Sequence, residues 1–361
     1  LSERYKDDLQ KELTEIDIFT GVGDYDKIDR LVHEKRSSFS NEVFLASEEN
    51  DRVITGSNYH AYVKLSEGCN QSCSFCAIPS FKGKLHSRTL ESLVKEVTNL
   101  VKKGYKDFSF VSQDSSSYLR DLGHNDGLEQ LIDAVEKIDG VKTARILYLY
   151  PSTTTLNLID KIADSKVFVN YFDMPLQHIS QNMLKIMKRG KGAEKLIELM
   201  NYMRSKPNSF VRTTFIAGHP GESEEDFEEL CSFVEEFGFD RGNVFSYSDE
   251  EGTSAETRDD KIEQELIDER AEILGDIISQ TTIKSLENDI GKSFEVYIDG
   301  ESEEHEYLLS ARKTIWAPQI DGEIYINDNE DNIPIIFGEI YEVEATELAC
   351  DKLLAKIIRK V

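Results

Sequence analysis

The chain has 361 residues, 39% hydrophobic and 31% charged, with a formal charge of −27. That describes a globular protein with room for two or three domains, and excludes a disordered or membrane-spanning chain. The acidity argues against a polyanion partner, because affinity for nucleic acid comes largely from Lys and Arg neutralising phosphates, and it favours a basic partner.

In chain order, a helical run extends to Leu13, a strand is expected at Ile16 to Phe19, and a second helix lies near Asp26 to Val32. Residues 1–36 read as the back half of an α/β domain. The polar stretch Glu34 to Ser57 is a linker with at most a short strand, its core being residues 37–57. Short β-rich and helical runs then alternate over residues 58–285. The strands are expected at Ala61–Leu65, Phe108–Ser112, Arg145–Tyr150, Tyr171–Asp173, Val211–Ala217 and Val244–Tyr247. The stripe Leu93, Val94, Val97, Leu100 and Val101 predicts a helix over Leu90–Lys103. On periodicity alone, a barrel-like parallel sheet and a doubly wound sheet are equally allowed. A long charged helix, near Lys261 to Asp289, leads into residues 286–361, where polar and apolar residues alternate. About five short strands there predict a small antiparallel barrel.

Directly after the first strand comes Gly68-Cys69-Asn70-Gln71-Ser72-Cys73-Ser74-Phe75-Cys76, a CxxxCxxC loop. Three thiolates on one tight loop suit a 4Fe–4S cubane with one iron left free for a small molecule, whereas closed structural sites use four ligands. The alternative is a Cys3His zinc site completed by His86. Cys231 and Cys350 lie far away and read as buried small hydrophobes. So few dispersed cysteines argue against a disulfide framework and for a reducing cytoplasm.

These residues resemble the radical S-adenosylmethionine (SAM) superfamily, with Phe75 as the aromatic residue before the last cysteine. Within it, Ile78-Pro79-Ser80-Phe81-Lys82-Gly83, Asp173-Met174-Pro175-Leu176-Gln177-His178, Met187-Lys188-Arg189-Gly190, Phe245-Ser246-Tyr247-Ser248-Asp249-Glu250-Glu251-Gly252 and Ala317-Pro318-Gln319-Ile320-Asp321-Gly322 resemble the methylthiotransferases. They match the branch acting on an aspartate of ribosomal protein S-12. The resemblance implies a (βα)6 partial barrel, a C-terminal TRAM domain and a remnant of an N-terminal α/β domain. In the family, that domain carries three further cysteines for a second cluster, so the chain is expected to be an N-terminally truncated piece that cleaves SAM without completing methylthiolation.

The resemblance further implies a cluster on Cys69, Cys73 and Cys76, and SAM against Phe75. In parallel βα architectures function collects where strands end. At those ends, Gln113 and Asp114 are candidates for the SAM amino group and Gln177 for the ribose hydroxyls, while an inward Arg212, at the opening of the fifth strand, could pair the carboxylate. Gly218 would allow close approach of backbone to ligand. Asp114 and the neighbouring serines could equally be helix caps. His178 reads as structural, His219 stands where the family has Phe, and Lys82 where many relatives have Arg. The tail from Ile283 has eight Lys or Arg against eighteen Asp or Glu. That suits a dock for the basic S-12 protein or simply a solvated face, and Trp316 could be interface anchor or core. An electron donor is a further expected partner; membrane and nucleic acid are not. The alternatives are a tRNA methylthiotransferase and a non-catalytic, metal-bearing ribosome assembly factor.

Overall fold

A computed structural model describes residues 2–50, 52–329 and 332–361. Leu1 of the opening stretch and Asp51 of the linker lie outside the described residues. Helix α1 (Lys6–Glu12) and helix α2 (Ile28–Glu34) form as expected, but Ile16 to Phe19 makes no strand. Its neighbour Thr20 forms only an isolated bridge with Ser38, since no partner strand lies alongside to take up the other backbone groups.

Six strands follow: β1 (His60–Lys64), β2 (Asp107–Val111), β3 (Thr143–Ile146), β4 (Phe168–Asp173), β5 (Phe210–Ala217) and β6 (Arg241–Ser246). They pair in sequence order and always in parallel, and β1 and β6 are the open edges of a partial barrel. The helices that cover it are α3 (Ile78–Lys82), α4 (Leu90–Lys102), α5 (Gly127–Val135), α6 (Leu156–Ala163), α7 (Gln181–Ile186), α8 (Ala193–Arg204), α9 (Glu224–Phe237) and α10 (Gln264–Glu287). Their starts are written in sequence: Thr89, Thr155 and Ser180 cap α4, α6 and α7, and Ser223 with Asp226 forms a capping box on α9.

The two faces of the sheet differ. Ala61, Val63, Phe108, Phe110, Ala144, Ile146, Phe172, Val211 and Phe215 point outward into the main core beneath the helices. The alternate residues point into the half-barrel and are largely polar: Asp107, Ser109, Arg145, Asp173, Arg212 and Asn243 among them. A parallel sheet ordinarily buries apolar residues on both faces. Here the inner face needs polar partners instead.

The C-terminal domain supplies them. Strands β7 (Ser293–Glu301), β8 (Leu309–Lys313), β9 (Ile324–Asp328), β10 (Ile340–Ala349) and β11 (Lys352–Lys360) close a five-stranded barrel in the order β8-β9-β11-β10-β7. Four pairings are antiparallel, but β9 and β11 run parallel, a departure from the all-antiparallel expectation. The segment between β8 and β9 enters the half-barrel. Arg145 donates to the carbonyl of Thr314 at 2.8 Å and to Asp107 at 2.8 Å, and Arg312 reaches the other Asp107 oxygen at 2.6 Å. Burial pushes the Asp107 carboxyl up, but Arg145 and Arg312 prevail and hold it well below the usual range. Trp316 is buried with Tyr171 and Phe210, its ring beneath the Arg241 guanidinium at 5.1 Å, so it is part of the core where the two domains meet. Cys231 is half-buried. Cys350 is exposed, contrary to expectation, because it occupies a left-handed position (φ +58°) at the tip between β10 and β11. Among the described residues, no helix is long and apolar enough to cross a membrane.

The interface also holds a pH-labile group. His60 is buried against Ser109 at 3.0 Å, and burial pushes its imidazole down to about 3. The folded state therefore binds fewer protons than the unfolded one, and stability falls as pH drops below about 6.5. Between pH 7.5 and 5, His60→Gln is expected to lose about 2 kcal/mol less than the unaltered protein, the difference that proton uptake by a free imidazole implies. Urea titrations at the two pH values check this.

Candidate active site

The carboxyl ends of the strands surround a cavity of about 710 Å³, lined by all three loop cysteines and by residues following β2, β3, β4 and β6. Gly68 makes the cysteine loop possible. Its φ is +75°, and a Cβ there would stand 2.1 Å from the Lys84 carbonyl oxygen. The loop is then stapled along its length. Cys69 N–H donates to Gly83, Ser74 N–H to Met187, and Ala255 N–H to the Ser74 carbonyl. The Ser74 hydroxyl meets His219 Nε2 at 2.9 Å, and the His219 ring packs edge-on against Phe75 at 6.3 Å between centroids. His219 is thus a buried support for Phe75, kept neutral by burial, which pushes it down to about 4.

Burial also pushes the Cys69 thiol up to about 11 and raises that of Cys76. Left alone these groups stay protonated, so thiolates here call for positive charge from a metal centre. The zinc alternative is not assembled: His86 is exposed, with Nδ1 against the Leu85 carbonyl. Among the described residues, no three His, Cys, Asp or Glu side chains gather closely enough for a single ion. Three cysteines lining one cavity, with no fourth protein ligand gathered to them among the described residues, fit a cubane with one open iron.

The candidates for a nucleotide ligand divide. Phe75, Gln113, Gln177 and Arg212 line the cavity. Gln113 donates to Glu67 at 3.3 Å, leaving its Oε1 buried without a partner. Gln177 adopts φ +73°, with its backbone docked on β5 through Thr214 and Ile216, and its Oε1 is likewise unpartnered. Two bare carbonyl oxygens on residues lining one cavity are acceptors waiting for donors, since buried polar groups are seldom left unpaired. Arg212 is already engaged by Asp173 at 2.9 Å and Asp321 at 3.5 Å.

Asp114 and Gly218 are not among the residues lining the cavity. Asp114 is buried behind the wall, where it accepts from Gln71, Ser116 and Ser117 and so orders the loop after β2. Gly218 faces α10, and its added Cβ would meet Ile267 at 2.5 Å. His178 is structural, paired with Glu222 at 3.2 Å.

Sequence reasoning assigned no role to Arg189, Tyr148, Tyr150 or Phe245, which also line the cavity. Arg189 lay within a quoted motif. Tyr148 lay inside an expected strand, but the chain leaves the sheet after Ile146, because the Asp173 carboxylate accepts the Tyr148 N–H at 3.0 Å and Tyr148 takes φ +62°. Left-handed Tyr148 and Gln177 on one cavity wall store strain of about 1–3 kcal/mol each, a frequent mark of a functional site.

The radical SAM superfamily signature matches residues 63–234 and the TRAM domain signature residues 290–358. A ribosomal protein uS12 methylthiotransferase RimO from Aliarcobacter butzleri is 79% identical over 99% of this chain and 81% of its own. The chain belongs to the RimO family of radical SAM methylthiotransferases. Its counterpart from Sulfurovum sp. (strain NBC37-1) is 63% identical over 100% of this chain and 82% of its own. Among solved structures, coproporphyrinogen III oxidase (HemN) from Escherichia coli superposes with a TM-score of 0.50 at 16% identity, over 65% of this chain and 57% of that one, which shows a shared fold.

Gly218 provides a test of packing against ligand contact. Gly218→Ala is expected to cost about 2 kcal/mol through overpacking and backbone strain. Its affinity for SAM should stay within about twofold, since RT ln 2 is small beside one lost polar contact. Urea midpoints and equilibrium dialysis check the pair.

Proposed function

We propose that Cys69, Cys73 and Cys76 hold a 4Fe–4S cluster, that SAM binds beside it in the same cavity, and that the chain supplies the SAM-cleaving, hydrogen-abstracting step of methylthio transfer to the β-carbon of an aspartate of ribosomal protein uS12. The observation that carries this reading is the set of three cysteines lining one cavity at the strand ends of a partial barrel, with no fourth protein ligand gathered to them among the described residues. The β C–H bond of aspartate is unactivated, and no side-chain base near pH 7 takes that hydrogen as a proton. Cluster and SAM together, when bound, supply the one-electron chemistry that such a bond requires.

The protein's own work is to bind, orient and exclude water. Gln113 Oε1 suits the SAM ammonium and Gln177 Oε1 the ribose hydroxyls, because each is an acceptor without a donor. Phe75 closes the apolar side, and Arg212, held by Asp173 and Asp321, offers positive charge to the carboxylate. Asp114 and Gly218 act from behind, through loop order and helix packing. At the mouth, Tyr148 and Phe245 are 41% and 59% exposed, apolar surface suited to an entering protein segment. In this division residues 58–285 hold the cofactors, and residues 286–361 brace the barrel and present acidic surface to the basic substrate protein. A cytoplasmic setting, with a one-electron donor, suits free thiols and this chemistry.

Anaerobic reconstitution with iron and sulfide, reduction and addition of SAM should yield 5′-deoxyadenosine, measured by liquid chromatography and mass spectrometry. Cys73→Ala should abolish it. Zinc in place of iron, or a reduced-state EPR signal indifferent to SAM, would sink the reading. In binding assays the chain is expected to retain uS12 in preference to tRNA at moderate salt, judged by anisotropy. Tighter tRNA binding with a steep salt dependence would favour a nucleic-acid substrate instead.

A further inference from the structure

Arg189 stands in the turn after α7, between Lys188 at φ +56° and Gly190 at φ +75°. It is 4% exposed and lies on the cavity wall. Its Nη1 donates to Cys73 Sγ at 3.2 Å, and its Nη2 donates to the Pro175 carbonyl. The guanidinium lies over the Tyr150 ring, 4.5 Å from its centroid, and the Tyr150 hydroxyl is 3.8 Å from the same sulfur. Its Nε has no partner, and among the described residues no carboxylate pairs with it.

The other two cysteines are treated differently. Cys69 receives a backbone N–H from Gln71 at 3.4 Å, a neutral donor, and Cys76 has no side-chain donor bonded to it among the described residues. Among the described residues, Cys73 is the one loop sulfur that Arg189 bonds directly, although its charge also reaches Cys76. A buried guanidinium without an anion is costly, and the anion within its reach is the Cys73 sulfur once it is a thiolate. Charge matters more in this low-dielectric setting than in water.

We propose that Arg189 is the built-in counter-ion of Cys73, and that it raises the reduction potential of the cluster. The inference rests on the cluster assignment under the proposed function. Its physical basis is that an added electron makes the thiolate-held group more negative, and a cation bonded to one of its sulfurs stabilises that state more than the oxidised one. Hydrogen bonds to the sulfurs and local charge are recognised controls of such potentials. Arg189 is thus a positioning residue, held flat by the Tyr150 ring and tied in place by Pro175. It acts through Cys73.

The test is a redox titration followed by EPR, without SAM, on the reconstituted unaltered protein and on Arg189→Gln and Arg189→Met, with iron and sulfide measured in each. At the unaltered midpoint, the reduced-to-oxidised ratio is expected to fall about tenfold in Arg189→Met, a midpoint about 59 mV lower for one electron. Arg189→Gln, which keeps an N–H but no charge, should fall between. If Arg189→Met fails to take up iron, Arg189→Gln alone decides. Equal midpoints in loaded unaltered and Arg189→Gln proteins would overturn this inference and leave the proposed function standing. Failure of the unaltered protein to hold iron would overturn both.

Discussion

An open half-barrel has an inner face that nothing in its own βα repeats can cover, and the arrangement of this molecule follows from how that face is filled. Asp107, Arg145, Asp173 and Arg212 project inward, where isolated charges would be expensive. β8 and the segment after it answer them with Arg312, backbone carbonyls at Thr314 and Ile315, and the carboxylate of Asp321, while Arg312 is itself held by the Trp316 carbonyl. Breaking such a buried network from one side costs about 3–5 kcal/mol, because an unpaired charge remains behind. The barrel domain is therefore a structural complement of the half-barrel as well as a candidate surface for a partner. It fills the amino-terminal half of the lumen, and the cavity is the half it leaves.

That division explains Arg212. It sits at the level where the plug ends and the cavity begins, bonded on one side to Asp173 of β4 and on the other to Asp321 of the inserted segment. Burial pushes both carboxyls up, with Arg212 pulling each the other way. A guanidinium shared between two acids presents less free charge to a ligand than a bare one. Its position, however, is set by both domains at once. The charge offered to the cavity thus depends on how the C-terminal barrel is seated, which joins the two lobes energetically although the cofactor candidates lie in one.

The elements legible from sequence were those with strong local signals. The strands at β1, β2, β5 and β6 and the helices α4 and α10 emerged within a few residues, because alternation and a 3.6-residue stripe reflect the two-sided burial each element experiences. The three cysteines were legible because their spacing has few other uses. Periodicity did not reveal what the inner face contacts: Trp316 and Asp321 act more than 100 residues from Tyr171 and close on 80 from Arg241, and no local pattern encodes that meeting. That Asp114 and Gly218 do not line the cavity was hidden for a related reason. A polar residue or a glycine at a strand end is equally suited to face a ligand or the packing behind it, and a shift of one position in the pleat decides which.

Arg189 shows the same limit from the other side. Its motif helped to identify the family, yet nothing local marks it as a partner of Cys73, 116 residues away. The contact arises because the cysteine loop and the turn after α7 are stapled together by the Ser74–Met187 backbone bond, which brings the next turn of chain against the sulfur. With the loop anchored there, the three sulfurs cannot be equivalent. Cys73 is bonded by a cation and approached by an aromatic hydroxyl, whereas Cys69 accepts a neutral backbone N–H and Cys76 feels the same cation without a bond to it. An asymmetric setting of this kind draws negative charge toward the Cys73 corner of whatever the three thiolates hold, in a cavity that Gln113 and Gln177 also line with unpaired oxygens.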